Sequence, residues 1–207
     1  IVTDADLFPP DNVTLNGMKI YSDRSVTQIV GYATAVVETA GSGLVPLFRE
    51  IQANQNGRHY SVETFRRYEG GGLGAELQGD VVLMGSLAFM KLMRVRMPEG
   101  TNLKQAVYLA VNSELAAVFA LHYAADADVQ TSLHAATHSG SLFPLLATRD
   151  FMITPQFLKQ RGLIGALVLF FLTFVGSVQA VSAWNLLIFS LLWLLPELLL
   201  TGLHTGV

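Results

Sequence analysis

The first residues in this sequence that could do chemistry are two aspartates that follow a short apolar stretch. Asp4 and Asp6 come directly after residues 1–3, and Pro9 and Pro10 then interrupt the chain. Two carboxylates two residues apart at a strand end can both approach one Mg²⁺ ion, and the first can attack a phosphoryl group. Because aspartates at strand ends also form turns and helix caps, a purely structural role stays open.

A second polar group follows another apolar stretch. Residues 145–147 are succeeded by Thr148, Arg149 and Asp150, which are a hydroxyl, a cation and a carboxylate. Ligand groups in α/β proteins gather where parallel strands end. We therefore expect the two apolar stretches to be neighbouring parallel strands, with Asp4 and Thr148 at the same sheet edge. A loop with a surface ion pair is the alternative.

A glycine-rich stretch lies in the middle of the chain, with glycines at 70, 71, 72 and 74. Glycines allow the backbone to come close to a nucleotide, which makes Gly70, Gly72 and Gly74 candidate cofactor contacts. A tight turn between two strands would need the same residues, so both interpretations stay open.

The hydrophobic periodicity predicts the elements that position these groups. Helices are predicted over residues 25–39, 44–51, 86–93 and 128–138, and strands over residues 59–68, 73–77, 81–84, 103–111, 115–122 and 141–147.

The last quarter of the chain contains two long apolar runs. Residues 162–181 carry no formal charge, and residues 186–203 are interrupted only by Pro196 and Glu197. Each run is close to the ~20 residues with which a helix crosses a ~30 Å hydrocarbon core. We expect a transmembrane helical hairpin, with a buried hairpin in a soluble core as the alternative.

Charge predicts the orientation of this hairpin. Lys159 and Arg161 precede the first run, whereas Trp184 lies in an uncharged turn between the runs. The positive-inside rule then places the head and the C-terminus in the cytoplasm and Trp184 outside the cell membrane. Glu197 would face a partner helix or a water-filled path, unless it lies near the end of a shifted span.

Composition excludes several classes of function. The net charge of −3 provides no basic field for nucleic acid. The absence of cysteine from the 207 residues excludes disulfides, thiolate metal sites and thiol catalysis.

Taken in order, these segments resemble the phosphorylation and nucleotide-binding domains of P-type cation-transporting ATPases, which belong to the haloacid-dehalogenase-like superfamily. Residues 4–10 align with the family's Asp-Lys-Thr-Gly-Thr-Leu-Thr, and residues 68–85 fit its glycine-rich stretch and the strand that follows. Residues 112–121 match its return strand, and residues 148–151 echo its Thr-Gly-Asp-Asn.

The resemblance implies an α/β fold with a parallel haloacid-dehalogenase-like sheet. Residues 1–24 and 112–161 would form the two halves of that domain, residues 25–111 an inserted α+β nucleotide-binding-type domain, and residues 162–203 the membrane hairpin. The implied ligands are ATP and Mg²⁺. Asp4, Asp6, Thr148 and Asp150 would do the catalysis, with the metal at Asp4 and Asp6.

The departures from the family pattern lie in its catalytic motifs. Ala5 and Asp6 replace the Lys and Thr that follow the phosphorylated aspartate, and Tyr123 stands where an acidic residue is expected. The Gly-Asp-Gly-x-Asn-Asp segment is missing between Lys159 and the apolar runs. In the family that segment holds Mg²⁺, so the resemblance supports the fold much better than it supports turnover.

Three hypotheses follow. The first is a degenerate P-type-ATPase-like membrane protein that keeps nucleotide binding and contacts the lipid bilayer and other membrane helices of a longer chain. The second is a membrane-tethered, Mg²⁺-dependent phosphohydrolase with Asp4 as nucleophile, Asp6 as acid/base and Thr148 holding the phosphate. The third is a catalytically silent structural or regulatory membrane subunit.

Overall fold

A computed structural model describes residues 1–68, 71–101, 103, 105–138, 145–148, 150–160 and 168–170. The helices of this part are α1 (Asp4–Leu7), α2 (Val26–Ala40), α3 (Val45–Asn54), α4 (Leu87–Leu92), α5 (Ala127–His138) and α6 (Pro155–Gln160). Its strands are β1 (Val2–Thr3), β2 (Val13–Ile20), β3 (Thr64–Tyr68), β4 (Gly72–Leu77), β5 (Asp80–Gly85), β6 (Ala106–Val111), β7 (Glu114–Tyr123), β8 (Leu145–Ala147) and β9 (Val168–Phe170).

Six of the strands form an antiparallel sheet in the order β2-β7-β6-β5-β4-β3. Successive side chains of a strand point to opposite faces, and the sheet is apolar on both. Val82 and Met84 belong to the core that includes the buried residues of α2 and α3. Leu83 belongs to the core around Phe89 of α4 instead. The sheet therefore lies between α2 and α3 on one face and α4 on the other.

Helix α2 confirms the helix predicted over residues 25–39, and its ends show why it begins and stops there. The Ser25 side chain accepts a hydrogen bond from the backbone N–H of Gln28, which caps the first turn. Gly41 ends the helix in the left-handed conformation, which glycine adopts without a steric penalty. Ten of the helix's fifteen residues are buried, so α2 is the central helix of this layer.

A polar cluster ties α2 to the sheet at Asp80. Arg24 forms a bidentate ion pair with Asp80, at 2.6 and 2.8 Å. The hydroxyl of Tyr32 and the side-chain amide of Asn112 each donate to the same carboxylate at 2.8 Å. Burial raises the pKa of Asp80, but the hydrogen bonds and the charge of Arg24 outweigh it and hold the pKa below its usual value. The cluster therefore holds the N-terminal part of α2 against the sheet at Asp80 and Asn112.

The remaining three strands form a separate parallel sheet in the order β1-β8-β9. Val2 pairs with Leu146 and Thr3 with Ala147. The two apolar stretches that precede the polar groups are thus neighbouring parallel strands, as the sequence predicted.

The membrane hairpin receives no support from this structure. No helix among the described residues is long and apolar enough to cross a membrane. Residues 186–203, which include Glu197, lie outside the described residues. Of residues 162–181, only Val168–Phe170 are described. Those three residues form β9 beside β8, where a helix was predicted. A short apolar run fits a strand of a parallel sheet as well as a helix, and periodicity alone cannot separate the two.

Strand β2 was not predicted, and its irregularity explains the omission. Its register on β7 shifts between Leu15 and Gly17, where a bulge adds one residue and breaks the alternation that identifies a strand. With β2 included, the antiparallel sheet extends from Val13 to Tyr123, on both sides of the 25–111 segment predicted as the insert. The division into phosphorylation-type and nucleotide-binding-type domains stays a prediction.

Candidate functional site

The candidate site lies where β1 and β8 end. Asp4 follows β1 directly and is the first residue of α1. The Thr148 hydroxyl donates to Oδ2 of Asp4 at 3.2 Å, and the backbone N–H of Asp150 donates to the same oxygen at 3.2 Å. The structure therefore brings together three residues that are up to 146 positions apart in the sequence.

Asp150 is the buried acid of this site. Its side chain accepts hydrogen bonds from the Tyr123 hydroxyl at 2.8 Å and from the Met152 N–H at 2.9 Å. Burial raises the pKa of Asp150 to about 6, and the charge of Asp4 adds to the shift while the two hydrogen bonds oppose it. Near neutral pH the site therefore changes protonation state at a carboxyl group that contacts Asp4 through its own backbone.

Sequence reasoning missed two residues of the site. Tyr123 was noted only as a departure from an acidic residue, yet its hydroxyl bonds Asp150 and its ring packs edge-on against Phe8 and Phe157. Gly43 was not considered, although a Cβ there would lie 3.4 Å from Oδ2 of Asp4. The family resemblance was the one signal that pointed to position 123, as the place of an expected acidic residue.

A small cavity adjoins Asp4, with a volume of about 40 Å³. Its lining includes Asp4, Gly43, Tyr123 and Asp150. By the same measure one water needs about 10–15 Å³, so the cavity has room for a few waters or a small group but not for a whole nucleotide.

Asp6 caps the start of helix α1 in this structure. Its carboxylate accepts hydrogen bonds from the Thr3 N–H at 2.8 Å and the Thr3 hydroxyl at 2.7 Å, while the Asp6 N–H donates back to that hydroxyl. The Thr3 side-chain hydrogen bond is the main reason that the pKa of Asp6 is lowered. This reciprocal arrangement is a capping box, which stabilises the start of α1.

Magnesium has no assembled site among the residues that the structure describes. Among the described residues no group of three or more His, Cys, Asp or Glu side chains could hold a metal ion. Asp6 is bonded to Thr3, and Asp150 is bonded to Tyr123 and Met152. The metal role predicted for Asp4 and Asp6 therefore has no support in the donor set.

The candidate nucleotide glycines pack against the chain's own aromatic rings. A Cβ at Gly72 would lie 2.3 Å from the ring of Phe89, and a Cβ at Gly74 would lie 2.9 Å from the ring of Tyr68. Gly70 lies outside the described residues. The lack of a side chain at Gly72 and Gly74 allows the aromatic rings to pack closely in this structure. Contact of these glycines with a nucleotide stays a prediction.

Together the fold and the site define an α/β protein with an aspartate held at the edge of a small parallel sheet, beside a larger antiparallel sheet. No protein-family model matches the sequence, and no curated protein matches it.

Solved structures do show similarity. The catalytic domain of the CPx-ATPase CopB-B is 11% identical, with a TM-score of 0.52, and the match covers 82% of this chain and 59% of that domain. The N-domain of HMA6, a copper-transporting P-type ATPase, is 20% identical with a TM-score of 0.44, over 54% of this chain and 99% of that one. A zinc-transporting PIB-type ATPase is 17% identical with a TM-score of 0.44, over 81% of this chain and 28% of that one.

The structural neighbours are thus P-type ATPases and their domains. At such low identity the comparison shows the fold alone, and of these three structures the catalytic domain of CopB-B has a TM-score above 0.5. The chain spans little more than half of that domain's length.

Proposed function

We propose that this chain is the nucleotide-binding head of a P-type-ATPase-like protein and that it binds ATP. The observation that carries the proposal is the match to the catalytic domain of CopB-B, a domain that changes conformation upon nucleotide binding, over 82% of this chain. The ordered sequence resemblance supports the same function.

Ligand-dependent thermal unfolding of the 207-residue chain tests the proposal. ATP should raise the unfolding temperature in a saturable way, since a ligand at 100 times its dissociation constant adds about 2.7 kcal/mol to the free energy of unfolding. Inorganic triphosphate serves as the control for simple anion binding. An equal rise with triphosphate would contradict nucleotide recognition.

A second candidate function is phosphoryl transfer to Asp4, which the geometry of the sheet edge favours. Thr148 and the Asp150 N–H hold the Asp4 carboxylate beside the cavity. A carboxylate oxygen would attack the terminal phosphorus of ATP, and ADP would leave with the electrons of the broken phosphorus–oxygen bond. Water would then attack the phosphorus of the acyl phosphate, releasing inorganic phosphate and restoring the carboxylate.

Acid-stable labelling from ATP carrying radioactive terminal phosphate should separate the two aspartates. We expect the label in the native chain and in Asp6→Asn, because Asp6 acts as a helix cap. Asp4→Asn should reduce the label to background, since the attacking oxygen is gone. A phosphohydrolase that uses Asp6 as acid/base would instead lose turnover in Asp6→Asn, and label surviving in Asp4→Asn would exclude Asp4 as the acceptor.

Membrane attachment is the third part of the proposal, and its support is the sequence of residues 162–181 and 186–203. The head and C-terminus would face the cytoplasm. The strand Val168–Phe170 lies within the first run and conflicts with a continuous helix over residues 162–181. The second run, residues 186–203, is therefore the stronger candidate for a membrane span.

Cysteine labelling tests this topology directly, because the chain has no cysteine of its own. In cells, an impermeant maleimide should label Trp184→Cys from outside and should label Ala53→Cys only after permeabilisation. Labelling of both positions only after permeabilisation would exclude the predicted hairpin.

A further inference from the structure

A basic and apolar ridge runs along the end of α4, defined here as residues 91–97. Within it Lys91, Arg94 and Arg96 are exposed, and the side chain of Leu92 is 68% exposed. Three cations in seven residues contrast with the net charge of −3 of the whole chain. The ridge is therefore a local positive surface with an apolar side chain in its middle.

The backbone of the ridge is strained at one of its cations. Arg94 has a φ of 55°, in the left-handed region that disfavours residues with a Cβ. Its N–H donates to the Lys91 carbonyl and the N–H of Val95 donates to the Met90 carbonyl, which is the Schellman arrangement that ends a helix. Glycine is the usual residue at this position.

An arginine at a position suited to glycine needs an explanation beyond local stability. Of the described non-glycine residues with a positive φ, which are Asn56, Gln78, Arg94, Asn112 and Ser113, only Arg94 is charged. Strain that the chain tolerates at one exposed residue points to a function for its side chain.

The charged neighbours of the ridge leave it positive. Glu114 pairs with Arg96 at 2.9 Å, and Glu99 is exposed on the segment that follows. Lys91 and Arg94 precede Val95 in the chain, on either side of Leu92 and within two residues of it. An occupant must therefore supply negative charge to the two cations and an apolar environment to the leucine at the same time.

We propose that this ridge docks on an anionic lipid surface, with Lys91 and Arg94 among the headgroups and Leu92 at the acyl boundary. Cations next to an anionic leaflet are attracted to it, and an interleaved apolar side chain gains burial below the headgroups. Nucleic acid offers the charge but no apolar layer for Leu92. The inference depends neither on ATP binding nor on the predicted membrane hairpin.

A fluorescent probe on the full chain tests the proposal. An environment-sensitive dye is attached to Ala88→Cys, an exposed position one helical turn from Leu92, or to Ala53→Cys on α3, across the sheet from α4. Vesicles of phosphatidylcholine alone are compared with vesicles that contain about a third phosphatidylglycerol. The dye at position 88 should shift to shorter wavelength with the anionic vesicles only, and the dye at position 53 should not respond. Both labelled proteins carry the same apolar C-terminal runs, so insertion of those runs into the vesicles cannot explain a difference between the two dye positions.

Matched variants assign the response to the ridge. In the position-88 background, Arg94→Gly should weaken the apparent affinity for anionic vesicles about fivefold, the equivalent of ~1 kcal/mol per cation. Leu92→Ser should weaken it as well, whereas Arg94→Lys and the distant Arg58→Ala should leave it unchanged. Because glycine suits the left-handed backbone, loss of folding cannot explain a weaker Arg94→Gly. The proposal would be overturned if the dye at position 88 responded equally to both vesicle types or to neither. It would also be overturned if the chain bound a soluble anionic polymer but not the anionic vesicles.

Discussion

Replacement of Gly72 by alanine is expected to lower the free energy of unfolding by about 3 kcal/mol, the upper part of the range for overpacked cores. The added Cβ would lie 2.3 Å from three ring atoms of Phe89. That ring is fully buried and packs against Tyr68 at a centroid distance of 5.3 Å, so it has no free space to move into. Chemical denaturation gives the difference directly.

Two further variants show whether Phe89 is the cause. Gly17→Ala is the matched control, because nothing lies within 4 Å of a Cβ built there, and it should be close to neutral. Phe89→Leu should destabilise the native chain but much less so the Gly72→Ala chain, which a double-mutant cycle measures as a coupling. A Gly72→Ala variant as stable as Gly17→Ala would show that Phe89 does not cover this glycine.

Asp150→Asn should be more stable than the native chain at neutral pH. The folded pKa of Asp150 is raised from 3.8 to about 6. Between these values the folded state binds a proton that the unfolded state releases, so stability is lost as the pH rises from about 4 to about 6. Above that window the full cost of ionising the buried group is on the order of 3 kcal/mol. Asparagine has no such cost and can keep both hydrogen bonds, with Tyr123 accepting from its amide.

The difference in free energy of unfolding between Asp150→Asn and the native chain should therefore depend on pH. It should favour the variant above pH 6, by up to about 3 kcal/mol, and shrink towards pH 4. The exposed Asp23→Asn serves as the control for the loss of one surface carboxyl group. A constant difference across this range would mean that Asp150 is ionised in the fold throughout.

The core of the candidate site was predictable from sequence, for a simple topological reason. Two apolar stretches that each end in polar residues were expected to be parallel neighbours, and the carboxyl ends of such strands meet at one edge. Asp4 was therefore expected beside Thr148, although 144 positions separate them. The contact of Tyr123 with Asp150 could not be predicted, because the sequence pattern of β7 does not indicate what its last side chain meets.

The sequence leaves two roles open for Asp6, as a ligand or as a helix cap, and the structure shows the cap at Thr3. The errors in the predicted elements have equally specific causes. The bulge in β2 hides a strand from any search for strict alternation. The apolar run around Val168–Phe170 is compatible with both a helix and a strand of a parallel sheet. In each case the local sequence permits two structures, and long-range pairing selects one.

Isothermal titration of the 207-residue chain with ATP tests the central claim most directly. We expect saturable binding of one ATP per chain, retained in Asp4→Asn because Asp4 lies outside residues 25–111, the segment predicted to bind the nucleotide. Adenosine should compete weakly, since it lacks the phosphates. The absence of any binding heat at millimolar ATP, from a chain that circular dichroism shows to be folded, would contradict the account.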